Sequence, residues 1–203
     1  MTVLPHSRRL AAALRFVVLF GALLVPWPGV SSAFVRAYSR FADACVGGTL
    51  SSAGHSVHVL GPQTGLEPWR AGIVIVSRAT GELSATTMDC WRAVYLPMSV
   101  YLALAFAWPR RRWMMALTIA GAGTLVLAFL PALLVAETAT RAGAMQVRVG
   151  TNALLLTLNR ALWAPPGMAF IVPVLLFFAL LALANRVWPT PPAATAARRL
   201  SAR

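Results

Sequence analysis

Cys90 is the residue whose type and setting best suit chemistry in this chain. It stands in Met88-Asp89-Cys90-Trp91-Arg92, where a β-rich stretch meets a long apolar run. A helix N-terminus and a nearby arginine both lower a thiol pKa, so Cys90 is a candidate nucleophile, with Asp89 acting in the opposite direction. Two other fates stay open: a disulfide with Cys45, the chain's other cysteine, or a buried inert thiol. His55 and His58 could hold a metal or serve as a base. Three apart in a strand, they fall on opposite faces, and a solvated strand histidine is the simpler reading of each. No HExxH, CxxC, phosphate loop or GxSxG occurs, and no cofactor or metal is expected.

The elements that must position Cys90 are apolar and long. The chain is 59% hydrophobic and 11% charged, more apolar surface than a soluble domain of this size can hide but an ordinary load for a lipid-solvated one. Its eighteen cations are all arginine, which points to a GC-rich bacterial coding sequence. Arg8, Arg9 and Arg15 begin the first apolar run, Arg110, Arg111 and Arg112 separate two middle runs, and Arg186, Arg198, Arg199 and Arg203 end or follow the last. With those ten inside, all five acids (Asp43, Glu67, Glu82, Asp89 and Glu137) fall outside, as the positive-inside rule requires. A formal charge of +13 is then mostly membrane anchoring rather than a nucleic-acid surface, since no recognition motif accompanies it.

The expected fold is a mainly α, polytopic membrane protein with four transmembrane helices and a small outer β-sheet lobe. Residues 1–9 are cytoplasmic and 10–30 form the first span, closed by Pro26, Trp27 and Pro28. A cleaved signal peptide with Ser31, Ser32 and Ala33 at the cut is the rival reading of that segment. Residues 92–108, 113–136 and 168–188 form the other spans, with a cytoplasmic arginine turn at 109–112 and a disordered inner tail at 189–203. The second span is short and should extend outward. Ser99, Ala103 and Ala107, and Ala116, Ala120, Thr124, Ala128, Ala132 and Ala136, recur every fourth position and should let helices approach closely. No ionisable residue lies deep in a span, which argues against a pump or proton relay. Glu137 can meet Arg141 at i+4.

Residues 31–91 make up the outer lobe. Phe34, Ala37, Tyr38, Phe41 and Ala42 follow helical spacing with Arg36 and Arg40 on another face, and Gly47 and Gly48 should break that helix. Val57 and Val59 alternate with His58. Residues 73–76 are β-rich, 78–81 read as a turn, and 82–88 as a returning strand. Residues 137–167 return to the last span through an amphipathic stretch at 154–163, with Leu155, Leu158 and Leu162 aligned in the interface plane.

An outer sheet, a cysteine opening a span, an arginine-rich inner turn and two further spans resemble the exosortase/archaeosortase superfamily of polytopic membrane cysteine proteases, over about residues 72–186. That family places a Cys at the outer start of one helix, an Arg at the outer end of the next and a His before the last. Only Cys90 matches. Trp91 and Arg92 follow it where the family has a small residue and Gly; the stretch from Phe129 to Leu133 holds no arginine; no histidine follows His58, and Asn159-Arg160 stands near where one is wanted. The resemblance therefore implies a diverged relative, with Arg92 and the Tyr95-Leu96-Pro97 corner in place of the protease groups.

The expected function is binding of a partner's transmembrane or C-terminal segment through Arg92, Tyr95 and Arg160, in the inner membrane with both termini inside. The alternatives are an active cysteine peptidase or transpeptidase, with Cys90 as nucleophile and Arg92 or Arg160 on the oxyanion, and a small structural subunit of a larger membrane complex. Membrane lipids and a membrane-protein partner, and no nucleic acid, are the expected contacts. The topology is directly testable: alkaline phosphatase fused after Ser77 should be active and fused after Arg111 inactive, and the reverse pattern would overturn the charge argument.

Overall fold

The computed structural model describes residues 6–25, 29–51, 55–62, 67–78, 80–108, 113–141 and 167–187. The expected interfacial stretch at 154–163, Arg160, and the tail beyond 187 lie outside them. The described residues are mainly helical, with one three-stranded antiparallel sheet. In order it forms α1 (His6–Leu24), α2 (Val30–Ser51), β1 (His55–Leu60), β2 (Arg70–Ser77), β3 (Leu83–Asp89), a π-helical turn (Trp91–Tyr95), α3 (Leu96–Ala107), α4 (Trp113–Arg141) and α5 (Met168–Val187).

The sheet follows period-two burial. Its order is β1-β2-β3, with Val57 opposite Ile75, Val59 opposite Ile73, and Ala71 opposite Met88. Those six side chains are buried against Val35, Tyr38, Ala42 and Val46, which line one face of α2. Each large aliphatic among them contributes about 1.5–3 kcal/mol by leaving water. Gly81, at φ +71°, closes the hairpin between β2 and β3 in a conformation that L side chains rarely adopt. One expectation is corrected here. Gly47 and Gly48 do not break α2, which continues to Ser51. Glycine in a helix costs only ~1 kcal/mol relative to alanine, and the seating of Ala42 and Val46 just before it on the sheet core offsets that.

The second core joins α3, α4 and α5 around Tyr101, Leu127 and Phe177. Ser99, Ala103 and Ala107 of α3 and Ala120 and Ala132 of α4 are buried, so much of the every-fourth small-residue stripe does face its neighbours. The tightest contact among the described glycines lies outside that stripe, at Gly123. Tyr101 is fully buried, its hydroxyl donates to the Ile119 carbonyl at 2.5 Å, and its ring lies where a Cβ on Gly123 would have to be.

Among the described residues two helices are long and apolar enough to cross a membrane, Met114–Leu133 and Met168–Val187; Leu10–Leu24 and Trp91–Ala107 are apolar but shorter. Their outward faces are apolar as well, with Leu125, Phe129, Leu175, Phe178 and Leu183 exposed, and Leu10, Leu14, Val17 and Val18 likewise on α1. α1 packs along α3, and α3 along both α4 and α5.

Gly123→Ala should destabilise this bundle by about 1–3 kcal/mol, because a methyl group there overpacks the Tyr101 ring. Gly121→Ala, which meets nothing within 4 Å, should leave the bundle as stable or stabilise it by up to about 1 kcal/mol, the helix-propensity gain over glycine. Thermal unfolding of the purified protein in detergent compares the two, and equal midpoints would show that the Tyr101 contact does not hold the bundle.

Candidate functional site

Asp89 ends β3 and begins a helix. The Cys90 N–H still donates across the ladder to the Trp69 carbonyl at 2.9 Å, while Asp89 Oδ1 accepts from the Trp91 and Arg92 N–H groups at 3.0 and 3.2 Å. The carboxylate thus satisfies two of the donors that every helix start leaves open, typically worth ~1 kcal/mol. Pro97 shapes the next turn. It has no N–H for the Ala93 carbonyl and its ring crowds that carbonyl, and the turn ahead of it widens so that the Leu96 N–H bonds to Trp91 O.

The widened turn sorts its side chains. Cys90 is wholly buried in the lobe core, its thiol 3.9 Å from the Met88 carbonyl. Arg92 points away, 85% exposed, with Nε 3.9 Å from Asp89 Oδ2. So long and exposed an ion pair contributes little. Tyr95 is half-buried and its hydroxyl donates to the Leu23 carbonyl at 2.6 Å, tying the turn to the end of α1. Around it Phe34, Trp69 and Trp91 pack ring against ring at centroid distances of 4.7–5.1 Å.

The balance at Cys90 falls against reactivity. Burial pushes its thiol up to about 12, against the lowering effect of a bond to the Ala71 backbone, and Asp89 raises it further. Desolvation of the thiolate outweighs the helix start that favours it. Cys45 belongs to the rim of the same core; burial raises its thiol too, and the two cysteines are not joined by a disulfide in this structure. Tyr38 responds to both. Burial holds its phenol well above the usual value, with Cys90 and then Cys45 adding to the rise, and its hydroxyl has no hydrogen-bond partner among the described residues.

The structure therefore brings Cys90, Arg92 and Tyr95 onto one short turn but aims them in three directions. His58, exposed, meets Asp43 at 3.7 Å, and Asp43 Oδ1 accepts from the Val59 N–H at 3.0 Å. Among the described residues no group of three or more His, Cys, Asp or Glu side chains is arranged to hold a metal ion. The aromatic cluster and the Asp89 cap were not singled out from the sequence. The cap had a signal, an Asp directly ahead of an apolar helical run; the cluster had only Trp91 and Tyr95 at i and i+4, since Phe34 and Trp69 come from distant elements.

No protein-family model, curated protein or solved structure matches this chain.

A thiol raised to about 12 carries roughly a thousandth of the thiolate of one near 9 at neutral pH. Iodoacetamide should accordingly label Cys45 in the native protein and reach Cys90 only after denaturation. The linkage sign is fixed by the raised value. The folded state holds the proton more tightly, so the contribution of Cys90 is complete below about pH 9 and is lost as pH rises toward 12. Rapid native labelling of Cys90, or a chain that labels at neither site until reduced, would contradict this picture.

Proposed function

We propose that this chain is a multi-pass protein of the bacterial inner membrane, exosortase-like in layout, which does no chemistry of its own and binds a partner's transmembrane or C-terminal segment. The observation that carries the non-catalytic reading is the contrast within one turn: Cys90 buried with its thiol up to about 12, and Arg92 two residues on with its guanidinium 85% exposed. A thiol nucleophile needs access, a base within hydrogen-bond reach and an oxyanion donor. A binding site needs an available charge beside a rigid apolar platform, and Arg92 with the Trp69, Trp91 and Tyr95 rings has that composition.

Four crossings follow from taking α1 and the helical stretch Trp91–Ala107 as spans alongside the two longer helices. The packing of α1 along α3, and the bond from Tyr95 to the Leu23 carbonyl, support α1 as a retained member of the bundle rather than a cleaved leader. On this topology the ten arginines of the cytoplasmic side hold the inner ends, and the sheet with α2 stands outside.

Complementation in the source organism, with membrane abundance matched, tests the assignment. Cys90→Ala should preserve function. Arg92→Ala should reduce it by up to about fivefold, the ~1 kcal/mol upper end for one exposed charge contact. Loss with both Cys90→Ala and Cys90→Ser would return the chain to the cysteine peptidases, and a silent Arg92→Ala would remove the binding site proposed here.

A further inference from the structure

We propose that the open edge of β3 is a docking strip, onto which an extended segment of a membrane-anchored partner adds as a fourth strand. This rests on the reading of the sheet as an outer lobe, and it narrows what the partner presents there.

The two edges of the sheet are not alike. α2 packs along β1, and Asp43 from α2 takes the Val59 N–H, so that edge is covered. β3 pairs with β2 on one side, and among the described residues no strand pairs with the other. Which of its groups face outward follows from the ladder. Trp69 and Cys90 continue the register of Arg70 with Asp89, and the Cys90 N–H bonds to the Trp69 carbonyl. Antiparallel bonding alternates, so Met88, Thr86 and Ser84 turn their N–H and C=O groups toward β2, and Leu83, Ala85 and Thr87 turn theirs to the open edge. The side chains of those three residues are exposed, Leu83 at 71%.

Natural sheets guard such edges with lysine, proline, inward charge or a bulge, because an unguarded one is a template for another strand. From Leu83 to Met88 the strand reads Leu-Ser-Ala-Thr-Thr-Met, with no charge and no proline; its one charge is the last residue, Asp89, whose carboxylate is engaged by the Trp91 and Arg92 N–H groups. Its membrane end is marked by Arg92, whose exposed guanidinium has, among the described residues, the one ion-pair contact of 3.9 Å to Asp89. The direction of the strand selects the occupant further. β3 runs into the π turn and α3, hence toward the bilayer on the proposed topology, and a strand added antiparallel runs away from it. That is the course of a chain just beyond the outer end of a transmembrane helix whose N-terminus is inside. The occupant is therefore the juxtamembrane stretch of such a protein: about five β-prone residues, uncharged except for a carboxylate at the membrane end to meet Arg92.

The test uses the full chain in lipid nanodiscs with a synthetic probe, an apolar helix of about 20 residues followed by Asp-Thr-Val-Thr-Val-Thr. Amide hydrogen exchange at Ala85 and Thr87 should slow about tenfold on adding the probe, with the Ile73 and Ile75 amides unchanged. A probe with proline at alternate strand positions should slow neither. Thr87→Pro removes one outward N–H without touching the β2 ladder and should abolish the slowing at Ala85. Ala85→Pro, read at Thr87, replaces it if Thr87→Pro disturbs the Ile73 amide. No slowing, equal slowing with the proline probe, slowing that survives both variants, or edge amides already protected in the chain alone would each overturn the proposal. The broader reading is separable. If Arg92→Ala fails to complement while the Ala85 amide never slows, only strand addition falls; if Arg92→Ala is silent, the partner site falls whatever β3 does.

Discussion

The Asp89 carboxylate is the contact on which the rest of this molecule turns. A chain that must pass from a sheet directly into an apolar helix faces two unpaired sets of polar groups, the last of the ladder and the first of the helix. Asp89 resolves both within one residue, leaving the Cys90 N–H to the ladder and taking the Trp91 and Arg92 N–H groups itself. With no loop between sheet and helix, the lobe cannot swing freely on the bundle. The orientations of Cys90, Arg92 and Tyr95 follow from that rigid junction and from the extra residue that Pro97 forces into the turn.

The same junction decides the chemistry of Cys90. Three effects act on the thiol. The bond to the Ala71 backbone favours the thiolate, Asp89 opposes it, and burial opposes it most. Removing a charge from water is the largest of these wherever a side chain is wholly enclosed, so a helix start that would activate an accessible cysteine fails to activate this one. Burial instead gives the sulfur a packing role beside Tyr38, Val94 and Met88 in the lobe core.

Much of the frame was legible in the residues because its signals are local. Period-two runs around Val57 and Ile73 gave the strands, and the helical spacing of Phe34, Tyr38 and Ala42 gave α2. The apolar runs gave the helices of the bundle, including the short third one that continues outward through the π turn. What escaped depends on contacts between distant parts of the chain. Gly47 and Gly48 read as a break because local propensity is all a sequence offers there, whereas the sheet core beneath Ala42 and Val46 is a tertiary effect. The burial that raises the Cys90 thiol escaped for the same reason: neighbours at Asp89 and Arg92 are visible in the sequence, and the enclosure supplied by α2 and the sheet is not. Gly123 escaped because the fourfold alanine rhythm draws the eye to other positions, although its lack of a side chain is what admits the Tyr101 ring.

The Tyr95 hydroxyl shows how the halves are tied together. The last carbonyls of a helix have no partner within it, and one left unmade in an apolar setting costs ~1–3 kcal/mol. Leu23 lies in the last turn of α1, and the phenol of Tyr95 supplies its donor from the opposite side of the sequence. Phe34 meets the same ring edge-on from the start of α2, and Trp69 meets it from the residue before β2. One tyrosine thus contacts the end of one apolar helix, the first helix of the lobe and the entry to the sheet, while belonging to the turn that opens α3. Through Tyr95, α1 is joined to the Trp91 ring, one residue before the exposed Arg92. On the proposed topology this places the join between the first membrane helix and the outer lobe at a single side chain.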